Sequence, residues 1–458
     1  MHRAKNSLPD TKRSALGDKA LSGTIAIVSP HFPPCSLAGV HRARHLAKHL
    51  PAHGWRPIVI RAHETQYTER LDPDLAALVP NTVEQIATGA MPASVTRLIG
   101  VGDIGLRGFL HFKRALSQLA QTTPLRAVLI TGSPYYPMLL AKWISHDLQL
   151  PVVLDFQDPW VSSWGATLPE LSKGGLAHRL AVMLEPKALR HAAFVTSVSE
   201  IQNQEMAARY PWINPKRMAA IPIGGDPEDF NATQTHHSAT ASTVDRSERA
   251  ELVFVGSVWP RLSNTLDVFL DAVAQVAKTN PAIAQRLAIR FYGTDARLVE
   301  PPVYQVAQQA ERKGISFVVE EFPRRLSFVQ ALATMAGARG VILLGSDEPH
   351  YTASKIYPAL MSGRPYLSVF HAASSSHSIL SRAGGGVSLG FEDAEAIRNL
   401  IDPISEALVR LACEPRSFCK SDPAAFEAYT AHAVAGRFAA IFESIAQGTT
   451  ASQCASLS

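Results

Sequence analysis

A chain of 458 residues exceeds one ordinary hydrophobic core and suits two domains. With 46% hydrophobic and 18% charged residues it is not a disordered protein, and no apolar run reaches the ~18 to 20 residues that cross a bilayer. The net charge of +5 is unevenly placed: residues 1–215 hold 22 Lys and Arg against 15 Asp and Glu, the remainder 22 against 24. The first half is therefore the part suited to an anionic lipid surface or an acidic acceptor, unless the excess is simply dispersed over the surface.

Residues 1–22 are polar and basic with no apolar centre, which predicts a disordered tail and not a secretory signal. Thr24–Ser29 (TIAIVS) reads as an apolar strand, ended by the loop PHFPPCSLAG. Val40, Ala43, Leu46, Ala47 and Leu50 then recur at helical spacing. Pro57–Ala62, Ala127–Gly132, Pro151–Phe156 and Ala193–Ser199 are further strands, each followed by a helical pattern. That alternation predicts a parallel sheet with crossover helices.

Residues 231–249 break the rhythm with a Thr, Ser and Ala-rich segment, a flexible linker or insertion. Its His236 and His237 have no metal-site partners nearby in sequence. A hinge is expected just before it, at IPIGGDPEDF, where Gly224 and Gly225 permit unusual backbone angles and Asp226 suits a turn. The pattern restarts with strands at Glu251–Gly256, Leu287–Gly293, Ile315–Glu320, Gly340–Gly345, Pro365–Phe370 and Gly386–Gly390. A long amphipathic helix over 424–447 closes the chain, followed by a tail, 448–458. The expected division is 23–225 and 226–423. Cys35, Cys413, Cys419 and Cys454 are scattered, without a C-x-x-C pair or metal spacing, and read as reduced thiols.

The segment TASKIYPALMSGRPYL, Thr352–Leu367, is a loop, a short helix, a turn at Ser362 and Gly363, and a buried strand. A helix start beside Ser354 and Lys355 suits an anion such as a diphosphate. The chain resembles the glycosyltransferase family 4-like proteins over roughly Thr24–Gln447. The carrying segments are IVSPHFPPCSLAGVHRARHLAKHLPAHGW; VLDFQDPW, similar to D-F-R-D-P-W; IPIGGDPEDF, similar to N-G-V-D-x-x-x-F; and SKIYPALMSGRPYL. The resemblance implies α/β architecture of GT-B type: two Rossmann-like domains whose parallel sheets face an interdomain cleft, with the last helix crossing back to the first domain. It further implies transfer of a sugar, hexosyltransferase type, from a nucleotide-sugar donor to a glycan or lipid-linked acceptor in cell-surface polysaccharide assembly. Retention of configuration, no metal and no cofactor beyond the co-substrate follow from the same resemblance. The reduced thiols point to a cytoplasmic location and the basic first half to a peripheral contact with the inner membrane face; no nucleic-acid partner is expected.

Without a metal, cations and backbone donors must stabilise the leaving diphosphate. Arg261, in VGSVWPRLSNT, and Lys355 are the candidates, with Ser354 beside them. The family places an Arg and a Lys in that loop; here Arg261 stands alone. The family's glutamate pair falls on His350 and Pro358, so Glu348 is the acid left to hold donor hydroxyls. Gly39 would let the backbone approach the donor. Asp158, at a strand end where open sheets place ligands, is expected to bind acceptor hydroxyls or to serve as general base if the enzyme inverts; Asp155 is expected to be structural. His41 and Tyr136 are acceptor candidates, Tyr136 by stacking on a sugar ring. A non-catalytic nucleotide-sugar binder and a nucleotide-sugar epimerase remain alternatives. A dinucleotide oxidoreductase is disfavoured because no strand leads into G-x-G-x-x-G.

Overall fold

The computed structural model describes residues 22–233, 249–258, 260–295, 300–349, 351 and 353–455. Residues 1–21 of the expected tail, most of the 231–249 segment with both its histidines, and His350 and Thr352 lie outside them.

The first sheet runs β1 (Gly23–Val28), β2 (Trp55–Ala62), β3 (Glu84–Thr88), β4 (Leu125–Gly132), β5 (Val152–Phe156), β6 (Phe194–Ser197) and β7 (Met218–Ala220). The second holds β8 (Ala250–Val255), β9 (Leu287–Tyr292), β10 (Val319–Phe322), β11 (Gly340–Leu344), β12 (Tyr366–His371) and β13 (Val387–Phe391). The orders are β3-β2-β1-β4-β5-β6-β7 and β10-β9-β8-β11-β12-β13, and every pairing is parallel. Each is a Rossmann-like sheet whose order reverses between two central strands, β1 and β4, then β8 and β11. That reversal opens a crevice at the strands' carboxyl ends.

The strands are continuous apolar runs because both faces are covered. Ile25, Ile27, Leu129 and Val153 face one core, while Ala26, Val28, Val128, Ile130 and Leu154 face the other. In the second lobe Leu252, Phe254, Ile289 and Phe291 alternate in the same way with Val253, Val255, Val341 and Leu343.

Three details depart from the sequence reading. Strands β3 and β7 extend the first sheet beyond the five strands read. Strand β10 begins at Val319 and not at Ile315, because the Ile315 carbonyl accepts from Val318 and Val319 in a turn. The closing helix spans Ala431–Ala455, after a four-residue helix Pro423–Phe426 and a 3-10 turn Glu427–Tyr429. The break has a cause: Ala431 N–H donates to the Gly225 carbonyl at 2.7 Å and Gly225 N–H to the Tyr429 carbonyl at 3.0 Å. The crossing chain thus pairs with the hinge, and Thr430 is extended. Beyond it the helix packs Val434, Ala435, Phe438 and Phe442 onto Ile25, Leu46 and Trp55 of the first lobe.

Candidate active site

The carboxyl ends of both sheets open onto one interlobe cleft of about 480 Å³. The first lobe lines it with Ser36, Ala38, His41 and the stretch Arg70–Leu75, the second with Gly256, Ser257, Arg325, Phe328, Tyr351, Ser354 and Lys355. Asp72 fixes the approach of the lobes. Its carboxylate caps its own helix through Leu75 N–H, 3.1 Å, and accepts from Phe328 N–H of the second lobe at 2.6 Å.

Lys355 stands at the start of the helix Ile356–Met361. Six residues give little macrodipole, so this helix start contributes less to an anion site than its side chains do. Burial, followed by the charge of Arg325, pushes the Lys355 ammonium down to about 8. Burial and the charge of Arg70 lower Arg325 as well. Among the described residues neither cation has an ion-pair partner, although carboxylates pair with most other enclosed cations. Two neighbouring cations that Asp72 offsets only in part are unfavourable in a cleft until an anion arrives.

His41 sits in the same cleft with its ring 4.5 Å from that of Phe328. Burial and then Arg44 hold it well below the ordinary imidazole range, so it is neutral at pH 7. The Arg44 guanidinium, 3.4 Å away, can only donate. Nδ1 therefore accepts and Nε2 carries the proton.

Gly39 precedes the helix Val40–His49 with φ −61. Its carbonyl accepts from Gln157 Nε2 at 3.1 Å. A Cβ there would meet nothing nearer than 3.5 Å, so neither backbone angle nor packing demands glycine. Asp155 is fully buried, bonded to Arg42 at 3.1 Å and Thr196 at 2.7 Å; Arg42 also donates to the Pro222 carbonyl at 2.8 Å. It is a strut between sheet and hinge.

The remaining candidates sit beside the cleft, not among its described lining. Arg261 and Glu348 form an ion pair with each other, and the guanidinium lies 4.6 Å from the Trp164 ring of the first lobe. Asp158 is exposed. Burial pushes the Tyr351 phenol up to about 12, with Asp158 and Glu348 adding to the rise, so both carboxylates face this cleft tyrosine from opposite lobes. Tyr136 lies near-perpendicular to Trp160, ring centroids 6.0 Å apart. The structure thus gathers His41, Ser354 and Lys355 and joins Arg261 to Glu348. Arg325, Arg70 and Asp72 were missed. The doublet Arg324–Arg325 directly after a strand was the available signal, and it reads as a surface charge.

One further group forms below the cleft. His31, Cys35 and Glu69 bring their ligand atoms within 4.8 Å of one another, which linear spacing did not reveal. His31 and Glu69 are 3.6 Å apart, and this pairing is the main reason the Glu69 carboxyl falls to about 2.

Two Rossmann-like lobes with parallel sheets around such a cleft define the GT-B class. Residues 39–224 match the model of the glycosyl transferase 4-like domain. Among solved structures, the chain is similar to HepE of Anabaena in complex with UDP and glucose (TM-score 0.57, 15% identity, covering 92% of this chain and 100% of that one). It is also similar to the trehalose 6-phosphate synthase of Burkholderia multivorans (0.61, 13%, 94% and 98%). A third is WaaG, a glycosyltransferase involved in lipopolysaccharide biosynthesis (0.55, 14%, 91% and 99%). No curated protein sequence matches the chain. The chain thus has the two-lobed GT-B fold, and its first lobe carries the match to the glycosyl transferase 4-like domain.

Proposed function

We propose that the cleft binds a nucleoside-diphosphate sugar and that the enzyme transfers the sugar to a glycan or lipid-linked acceptor in cell-surface polysaccharide assembly. The observation that carries this is the pair Lys355 and Arg325 in the cleft, which form no ion pair among the described residues, Asp72 only partly offsetting Arg325. A diphosphate supplies the missing charge. As the glycosidic bond breaks, negative charge builds on the leaving phosphate, and fixed cations in a water-poor cleft stabilise it most. They supply the role a metal would otherwise take, consistent with a metal-independent, retaining transfer without added cofactor. The neutral His41 offers Nε2–H to a donor oxygen. Asp158, on the acceptor side, orients acceptor hydroxyls. The complexes of HepE with UDP and with UDP-glucose favour a uridine donor, and the role of WaaG in lipopolysaccharide biosynthesis supports a cell-surface product on the cytoplasmic side of the membrane.

Calorimetry with UDP-, GDP- and ADP-sugars tests the donor site; silence from all of them overturns the reading. A non-catalytic binder is the second reading, favoured by Pro358 where a ribose-binding carboxylate is expected. Donor binding with no nucleoside diphosphate released to any glycan or lipid acceptor would select it.

A further inference from the structure

His31, Cys35 and Glu69 come from two loops of the first lobe, one leaving β1 and one leaving β2. Backbone hydrogen bonds lock these loops together. Asp72 N–H donates to the Pro34 carbonyl at 2.6 Å and Ser36 N–H to the Arg70 carbonyl at 3.2 Å, so Cys35 pairs with Leu71 as an antiparallel bridge. The Tyr67 hydroxyl adds a third link, accepting from Phe32 N–H at 3.1 Å. The three side chains are therefore held in place before any ligand arrives. His31 is only 8% exposed, and its Nε2 has no hydrogen-bond partner among the described residues. The Glu69 carboxylate lies 3.6 Å from that atom, longer than a hydrogen bond. A buried ring nitrogen beside a carboxylate and a thiol, hydrogen-bonded to neither, needs a physical reason.

The donor set supplies that reason. Imidazole nitrogen, thiolate sulfur and carboxylate oxygen suit zinc and its neighbours in the first transition series, whereas magnesium and calcium prefer oxygen alone. Zinc–ligand bonds of about 2.0 to 2.3 Å at tetrahedral angles put two ligand atoms roughly 3.3 to 3.6 Å apart. His31 and Glu69 already stand at 3.6 Å. All three ligand atoms lie within 4.8 Å of one another, so side-chain adjustment of roughly 1 Å closes the site. We propose that His31, Cys35 and Glu69 bind a divalent transition cation of the zinc type, with its fourth position open to solvent. Binding forms a metal–sulfur bond, breaks the Cys35 S–H bond and releases that proton to water. The Asp103 carboxylate adds negative charge beside His31. The charge of Arg107 reaches Glu69 and that of Arg325 reaches Cys35, which tempers the affinity for a cation while favouring the thiolate. The ion takes no part in neutralising the leaving phosphate. It staples two loops whose next residues, Ser36, Arg70, Leu71 and Asp72, line the cleft, and Asp72 is the contact to Phe328 of the second lobe. Its role is to fix the cleft wall, whatever donor or acceptor the cleft takes.

The test takes the full chain, strips it with EDTA and titrates it with zinc chloride, read by calorimetry and by competition with a chromophoric chelator. One equivalent per chain is expected, with a higher melting temperature and no displacement by excess magnesium. Cobalt in place of zinc should show a thiolate-to-metal charge-transfer band. Cys35→Ser should abolish that band and weaken zinc by about tenfold or more with circular dichroism unchanged, and His31→Ala should weaken zinc to the same degree. Glu69→Gln, at the more exposed edge of the trio, is the variant to read should Cys35→Ser not fold, and the same loss is expected of it. The chain carries 17 histidines, so zinc on surface imidazoles is the competing outcome. Zinc held equally by the native chain and these variants, or a native cobalt spectrum without the band, overturns the proposal. So does zinc uptake well below one equivalent.

Discussion

Two groups of cations flank His41 and do opposite things. At the hinge, Arg44 grips Asp229 through both oxygens, 2.7 and 2.5 Å. Lys48 meets Asp226 and Glu228 at 2.7 Å each, and Arg42 is shared between Asp155 and two backbone carbonyls. Every charge is answered from within. In the cleft, Lys355 and Arg325 form no ion pair among the described residues: Arg325 lowers Lys355 and Arg70 lowers Arg325, with Asp72 only partly offsetting it. A buried cation that is fully paired holds the fold; one left unpaired awaits a ligand.

Mutation of one member from each group separates these roles. Asp229→Ala leaves Arg44 buried and unpaired and should cost about 3 to 5 kcal/mol of stability, read by urea denaturation. An effect under half of that would remove the hinge pair from the scaffold. Lys355→Met should do the reverse. Diphosphate affinity falls by ~1.5 to 3 kcal/mol, the worth of a charged hydrogen bond, while the melting temperature holds or rises because an unpaired buried charge is gone. A matching loss of stability would make Lys355 structural.

The protonation of Lys355 gives a third comparison. Its pKa is depressed to about 8, so the cation is complete below that pH and lost as pH rises through it. UDP affinity should therefore weaken above about pH 8 in the native chain and stay level in Lys355→Arg, since arginine remains charged. A parallel decline in both would assign the titration elsewhere. The smallest effect is expected from Arg261→Ala. Its pair with Glu348 is partly exposed, so about 1 kcal/mol or less of stability is at stake, and donor affinity should drop less than for Lys355→Met.

Which parts could be read beforehand follows from how far apart the partners lie. Strands buried on both faces announce themselves as apolar runs, so the central strands of both sheets were legible. Strand β3 (Glu-Gln-Ile-Ala-Thr) is short and polar, β7 has only three residues, and β10 is displaced by a turn set by backbone hydrogen bonds. Lys355 and His41 were legible because each adjoins a loop-to-helix transition at a strand end. Arg325 was not, because a basic doublet in a loop usually faces water, and only the approach of Arg70 from the other lobe encloses it. The Arg261–Glu348 pair spans 87 positions, so it leaves no local trace.

The chain passes between the lobes twice at one place. The outgoing link at Gly224 and Gly225, where Gly224 takes φ +74, is bridged to the returning link at Thr430, and the returning helix is then clamped to the first lobe. Two hydrogen-bonded tethers side by side act as a door hinge and not as a string. They oppose sliding and separation of the lobes and leave swinging about Gly225 and Thr430 as the easy motion, so any opening of the cleft should widen its far rim, where Trp164 meets Arg261, more than the floor beside the hinge.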